Sequence, residues 1–149
     1  MDIASFIISI VALLASIVAI YNDKRIAEND IRASNCSLIF DNYLIEKIPQ
    51  ARAKIQFDSS NGHLKNCNEL CDVIESMLFS ALFYKYDDSH FYLQLKQNCQ
   101  TLVDLLLLEC DKPHLEKEDQ DSVIRQIQSN MEIIYHLIDQ KRVGATLPL

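Results

Sequence analysis

Ile3–Tyr21 reads IASFIISIVALLASIVAIY, nineteen residues without a charge, a glycine or a proline. As a helix rising about 1.5 Å per residue it measures roughly 28 Å, close to the hydrocarbon thickness of a bilayer. The stretch predicts an uncleaved transmembrane helix. A cleavable signal peptide fits less well. Met1-Asp2 supplies no Lys or Arg, and the best cleavage position, Ala19, has Ile17 two residues before it. The apolar run is also longer than a usual signal-peptide core.

Lys24, Arg25 and Arg32 follow the stretch and no basic residue precedes it. Basic residues beside a span mark its cytoplasmic end, and acidic ones count little. The expected topology is therefore single-pass in a bacterial inner membrane, with the N-terminus outside and the rest of the chain cytoplasmic. Within the stretch Ser5, Ser9, Ala12, Ser16 and Ala19 recur at steps of four, three, four and three. Small side chains on one face let helix backbones approach closely in lipid. The seam makes these five residues candidates for a homo-oligomer contact or a narrow pore lining, with hydroxyls free to bond across helices or back to their own carbonyls.

Beyond Tyr21 no Gly or Pro interrupts the chain before Pro49. The helix is expected to run on as a stalk whose apolar face holds Ile26, Ile31, Leu38, Ile39, Tyr43, Leu44 and Ile48. Pro49 is placed to kink it or to open a short helix through Phe57. Asp58-Ser59-Ser60-Asn61-Gly62 is the plainest turn in the chain. Three periodic segments follow. His63–Tyr86 carries a stripe through Leu64, Cys67, Leu70, Cys71, Ile74, Met77, Leu78, Ala81 and Leu82. Ser89 is expected to cap a second helix ending near Cys110, made central by Leu105–Leu108. A third, after Pro113, turns Ile124, Ile127, Met131, Ile134 and Ile138 to one side.

With two glycines, three prolines and no tryptophan in 149 residues, a many-stranded sandwich or barrel is disfavoured. The fold class is all-α: an N-terminal transmembrane helix followed by a cytoplasmic up-and-down bundle of about four helices. Residues 1–21 form the anchor, 22–57 the stalk and first cytoplasmic helix, and 58–149 the remainder of the bundle. A mean hydropathy of zero is the sum of an apolar end and an acidic domain.

Five cysteines in a reducing compartment argue against a disulfide framework. His63, Cys67 and Cys71 are spaced four apart, but three ligands strung along ~12 Å of one helix cannot meet at one ion. No metal or cofactor is expected, and two glycines cannot build the usual phosphate cradle. Glu116, Glu118, Asp119 and Asp121 suit the positive end of the last helix dipole. Arg125, Asn130 and His136 are the one polar constellation on that helix. Steps of five and six residues turn 500° and 600°, so the three cannot share a narrow face.

An N-terminal membrane helix joined to a small helical bundle resembles the membrane accessory protein of type VI-B CRISPR systems. That family has a HEPN-like bundle and assembles into a membrane pore that strengthens anti-phage defence. Its motif is Arg, four to six residues, then His. Here Asn130 stands where His belongs after Arg125, and His136 lies too far along. The resemblance covers the architecture of the chain and no specific motif. It implies membrane association as the retained activity and no RNA cleavage, because the imidazole for acid–base transfer is missing from its place. An isoelectric point near 5.0 also lacks the basic footprint of a nucleic-acid binder. The expected function is a self-associating membrane protein and pore-forming effector. A membrane-anchored adaptor for a cytoplasmic protein partner is the alternative, and a HEPN-type ribonuclease the second.

Overall fold

A computed structural model of the chain describes the backbone of residues 3–144 and the side chains of residues 10–144. Helix α1 spans Ile3–Asp41, 39 residues or roughly 58 Å. It passes into a π-helical stretch, Asn42–Lys47, and then into α2, Ile48–Lys54. Pro49 accounts for that widening. Its ring crowds the carbonyl of Ile45 and it has no N–H to donate. The Ile48 N–H instead donates to the Tyr43 carbonyl, five residues back.

The helix expected through Phe57 stops at Lys54. Ile55 turns extended, and Gln56–Phe57 (β1) pairs antiparallel with Leu64–Lys65 (β2). Strands of two residues carry no periodicity to read, so this hairpin was not expected. Its turn is the Asp58–Gly62 segment. The Asp58 carboxylate accepts from the Ser60 N–H and hydroxyl, and the Gly62 N–H donates to the Asp58 carbonyl. Gly62 has φ +69, and a Cβ there would stand 2.2 Å from the Leu115 carbonyl oxygen.

The remaining elements are α3 (Cys67–Ser80), a 3-10 turn (Ala81–Phe83), a short α4 (Tyr84–Asp87), α5 (Ser89–Cys110) and α6 (Lys117–Val143). The chain is all-helical apart from the hairpin. Cross-links between elements define the topology. Tyr43 donates to the Ser76 carbonyl, and Lys54 pairs with Glu69, so α3 runs antiparallel to α1–α2. Cys67 is joined to Cys110 across the far ends of α3 and α5. Lys141 reaches Asp88 between α6 and α5, and the Tyr135 hydroxyl donates to the Leu44 carbonyl between α6 and α1. These contacts make an up-and-down four-helix bundle.

Its core is built where the periodic stripes face inward. Leu70, Ile74, Met77, Ala81 and Tyr84 from α3–α4 meet Phe91, Leu95, Cys99, Leu102 and Leu106 from α5. Val123, Ile127, Ile134, Leu137 and Ile138 come from α6, and Cys36, Phe40, Tyr43 and Ile48 from the first strut. Residues before and after position 58 therefore share one core. Phe40, Tyr84 and Phe91 form an aromatic knot with centroids 5.0 to 6.1 Å apart.

Four local expectations are corrected. Asp88, rather than Ser89, caps α5 by accepting from the Phe91 N–H at 3.1 Å. Leu107 and Leu108 are exposed, so only Leu106 of that run is fully buried and α5 is not surrounded. The stalk residues Ile26, Ile31 and Leu38 are exposed, whereas Tyr43 and Ile48 face the core. The Cys67–Cys110 disulfide is present although none was expected, because antiparallel pairing brings the first residue of α3 beside the last of α5.

Candidate functional site

The feature that stands apart is the N-terminal part of α1. Every described residue from Ile10 to Glu28 is exposed, and α1 first buries a side chain at Cys36. Ile10, Val11, Leu13, Leu14, Ile17, Val18 and Ile20 are 43 to 68 % exposed and occupy about half of the helix circumference, with Ala12, Ala15, Ser16 and Ala19, also exposed, on the other half. This uncharged helix stands clear of the bundle, and nothing among the described residues covers it. Covering seven such side chains, at about 1.5–3 kcal/mol each, is worth on the order of 10–20 kcal/mol, as much as a typical domain's whole stability.

Among the described residues, no helix is long and apolar enough to cross a membrane. Within the described side chains, Ile10–Tyr21 of the charge-free stretch measures about 18 Å of helix. The expected span is not supported by this finding. Ser5 and Ser9 lie outside the described side chains. The other seam members, Ala12, Ser16 and Ala19, are exposed, and the Ser16 hydroxyl donates to the Ala12 carbonyl at 2.9 Å. That bond uses the hydroxyl within its own helix.

Where α1 joins the bundle, a cleft of about 360 Å³ opens between Glu28, Ile31, Arg32 and Asn35 on one side and Phe83, Asp87, Asp88 and Lys141 on the other. The Lys141 ammonium is 2.8 Å from the Asp88 carboxylate and lies over the Tyr84 ring at 5.1 Å. Partial burial pushes the Asp88 carboxyl up, but Lys141 and the Phe91 N–H outweigh it and hold the group below its ordinary value. Burial also lifts the Tyr84 phenol well above its usual range, with Cys36 beside it contributing. Both groups serve the bundle's upper rim.

The polar constellation on α6 does not converge. Arg125 and His136 are exposed and eleven residues apart, roughly 16 Å along the axis. The Asn130 amide donates to the Gln126 carbonyl at 2.8 Å, and His136 bonds Gln140 at 2.8 Å. The clefts bordered by His136 include neither Arg125 nor Asn130. His63, Cys67 and Cys71 also separate. The His63 imidazole Nδ1 meets the Lys112 carbonyl at 2.9 Å, Cys67 is in the disulfide, and Cys71 is buried. Burial, aided by Asp72 and Glu75, raises the Cys71 thiol pKa, and burial alone pushes Cys99 up to about 12. Such thiols are poor nucleophiles. No group of three or more His, Cys, Asp or Glu able to hold a metal ion occurs among the described residues.

Sequence reasoning missed an outward stripe on α3–α4. Phe79, Leu82, Phe83 and Tyr86 follow steps of three, one and three, on the side of the helix opposite Leu70, Ile74, Met77 and Tyr84, and all four retain substantial exposure. The signal was an offset second set of apolar residues beside the core stripe. Comparison with protein-family models, with curated proteins and with solved structures gives no match.

Proposed function

We propose that this protein is a single-pass membrane protein of a bacterial inner membrane, with Ile3–Tyr21 crossing the bilayer and the bundle standing on the cytoplasmic side. Its work is done by self-association at the membrane, as a pore-forming effector of the kind its architecture resembles. The carrying observation is the protruding helix, whose described residues from Ile10 to Tyr21 are uncharged and exposed on every face. Lipid covers such a helix without any directional requirement, and the uncharged run is long enough to meet both headgroup layers. Lys24 and Arg25 follow at the cytoplasmic boundary, and Tyr21 sits where an interfacial aromatic belongs. The seam of Ser5, Ser9, Ala12, Ser16 and Ala19 supplies a face for close helix contact and a hydroxylated lining.

The test is membrane potential on overexpression. Wild-type chain is expected to depolarise the membrane, and Ser16→Leu to abolish depolarisation while the protein stays inserted. Absence of depolarisation with wild type would end the pore reading. The adaptor reading is favoured by the open groove between α2 and α6, lined by Pro49, Ala53, Met131 and Tyr135 with Arg52 and Glu132 at its rim. It predicts a cytoplasmic protein that co-purifies with the bundle after removal of residues 1–21. The ribonuclease reading predicts RNA degradation that Arg125→Ala abolishes. Unchanged RNA with wild type would remove it.

A further inference from the structure

Where α3 begins and α5 ends, the structure carries a covalent bond that the proposed activity does not use. Cys67 is the first residue of α3 and Cys110 the last of α5, and a disulfide joins them at the end of the bundle remote from the protruding helix. Weaker bonds tie the same corner. The His63 imidazole meets the Lys112 carbonyl at 2.9 Å, and the Leu115 N–H donates to the Asn61 carbonyl at 3.3 Å.

The two sulfurs stand in unlike surroundings. Cys67 is 1 % exposed, whereas Cys110 is only partly buried, so a reagent from solvent meets Cys110 first. Cys67 lies at the positive end of the α3 dipole, where the N–H groups of the first turn have no partner within the helix. Asn66 before it makes no side-chain bond to them, and its amide donates to the Lys54 carbonyl instead. A sulfur that leaves as thiolate is stabilised at such a helix start, and a better leaving group speeds exchange. Cys110 sits at the negative end of α5. Its sulfur lies 3.6 Å from the Leu64 carbonyl oxygen, an acceptor for the thiol once the bond is open.

We infer that Cys67–Cys110 is a reversible redox latch, opened and closed by exchange with a small thiol at Cys110. Its switching in the cell rests on the cytoplasmic placement proposed above, because an oxidising compartment would hold it shut. In opening, a thiolate of the glutathione type forms a bond to the Cys110 sulfur, and the electron pair of the broken S–S bond leaves on Cys67. A second thiolate attacks the glutathione sulfur of the mixed disulfide and releases the Cys110 thiolate. Both protein thiolates are then free to take protons from water. One protein disulfide is reduced, and two glutathiones leave as glutathione disulfide. Closing is the reverse: glutathione disulfide is the oxidant, and the Cys67 thiolate attacks the mixed disulfide at Cys110. Opening removes the covalent tie and leaves the His63 and Leu115 bonds to hold the corner.

The experiment uses the full chain in detergent, in buffers of graded glutathione to glutathione disulfide ratio. Samples are quenched in acid, denatured with a maleimide and weighed intact, so that an open pair gives five labels and a closed pair three. Chain reduced beforehand and chain oxidised beforehand should reach the same mixture of the two, and that mixture should follow the buffer. A pair that stays at three labels, or at five, across the series overturns the latch. Under glutathione disulfide, Cys67→Ala should take up glutathione at Cys110 at least about tenfold faster than Cys110→Ala takes it up at Cys67. Equal rates overturn entry through Cys110. The Leu115 amide should exchange with deuterium at least about tenfold faster in reduced than in oxidised wild type, while the amide of Leu102, buried within α5, keeps its rate. Equal rates at Leu115 overturn the hold of the latch on this corner. Alkaline carbonate extraction separates the two claims. Chains that stay in the pellet with a pair that ignores glutathione overturn the latch and leave the anchor, whereas chains that wash out with a pair that exchanges overturn the anchor alone.

Discussion

Lys141, on the last turn of α6, places its ammonium 2.8 Å from the carboxylate of Asp88, the residue that caps α5. One carboxylate thus ties two helices together and satisfies an orphan N–H at the start of one of them. The pair lines the cleft where α1 leaves the bundle, so this contact braces the root of the protruding helix.

Asp88→Ala removes both roles and is expected to cost about 1–3 kcal/mol, read as a lower midpoint in urea. Asp88→Asn keeps a capping oxygen and should cost less. Because the folded-state pKa of Asp88 is lowered, its contribution is full above the ordinary carboxylate value and fades as pH falls through the lowered one. Asp58, held well below the usual range by Lys65 and Ser60, acts in the same direction. Stability of wild type should therefore drop more steeply in acid than that of Asp88→Asn. Parallel pH profiles would contradict this account.

Substitutions on opposite sides of α1 should diverge. Phe40 is fully buried against Tyr84 and Phe91, and Phe40→Ala is expected to cost about 3–5 kcal/mol. Leu38→Ala, two residues away and turned outward, should change the stability of an isolated copy by less than about 0.5 kcal/mol. Equal losses at the two positions would mean that Leu38 is packed within the chain.

Gly62→Ala should destabilise the hairpin turn by more than the usual glycine effect. The left-handed φ disfavours any side chain, and the added Cβ meets the Leu115 carbonyl. Thermal unfolding of the variant is the measurement, and an unchanged midpoint would contradict the packing of this turn against the α5–α6 connection.

Under the proposed topology, the Cys67–Cys110 pair would report the side of the membrane on which the bundle stands. The structure holds the pair as a disulfide, whereas the reducing cytoplasm of the proposed topology would keep it as two adjacent thiols until oxidised. Cells lysed directly into denaturant with a maleimide should yield chains carrying five labels, and an oxidant applied to the folded protein should reduce this to three. Three labels from untreated cells would reverse the orientation. Closing this loop, with its sequence separation of 43, stabilises by up to about 4 kcal/mol in the chain-entropy model, so the oxidised form should melt higher.

The bundle was largely legible because its inner stripes are long and regular. Leu70, Ile74, Met77 and Ala81 on α3, and Ile127, Ile134 and Ile138 on α6, occupy the side that periodicity assigned to them. The stalk was not, because Ile31 and Leu38 are the same kinds of residue as those in the core. Only the position of Cys36 against Ile138, and of Phe40 against Tyr84 and Phe91, reveals which side of the stalk faces the core. Leu107 and Leu108 misled for a similar reason, since four consecutive leucines cover every direction of a helix and only the neighbours decide which is buried. The π-helical turn answers the backbone demand of Pro49, which the sequence signals as a kink without naming its form. Arg125, Asn130 and His136 were already separated by helical geometry, and each of the latter two bonds within its own helix.

Alkaline carbonate extraction of membranes holding the full chain tests the central claim most directly, with Leu14→Lys/Ile17→Lys as the paired variant. Wild type should remain in the membrane pellet, and the variant, with two charges in the middle of the apolar run, should move to the supernatant. Wild-type protein released quantitatively by carbonate would contradict the anchor and with it the account of what this chain does.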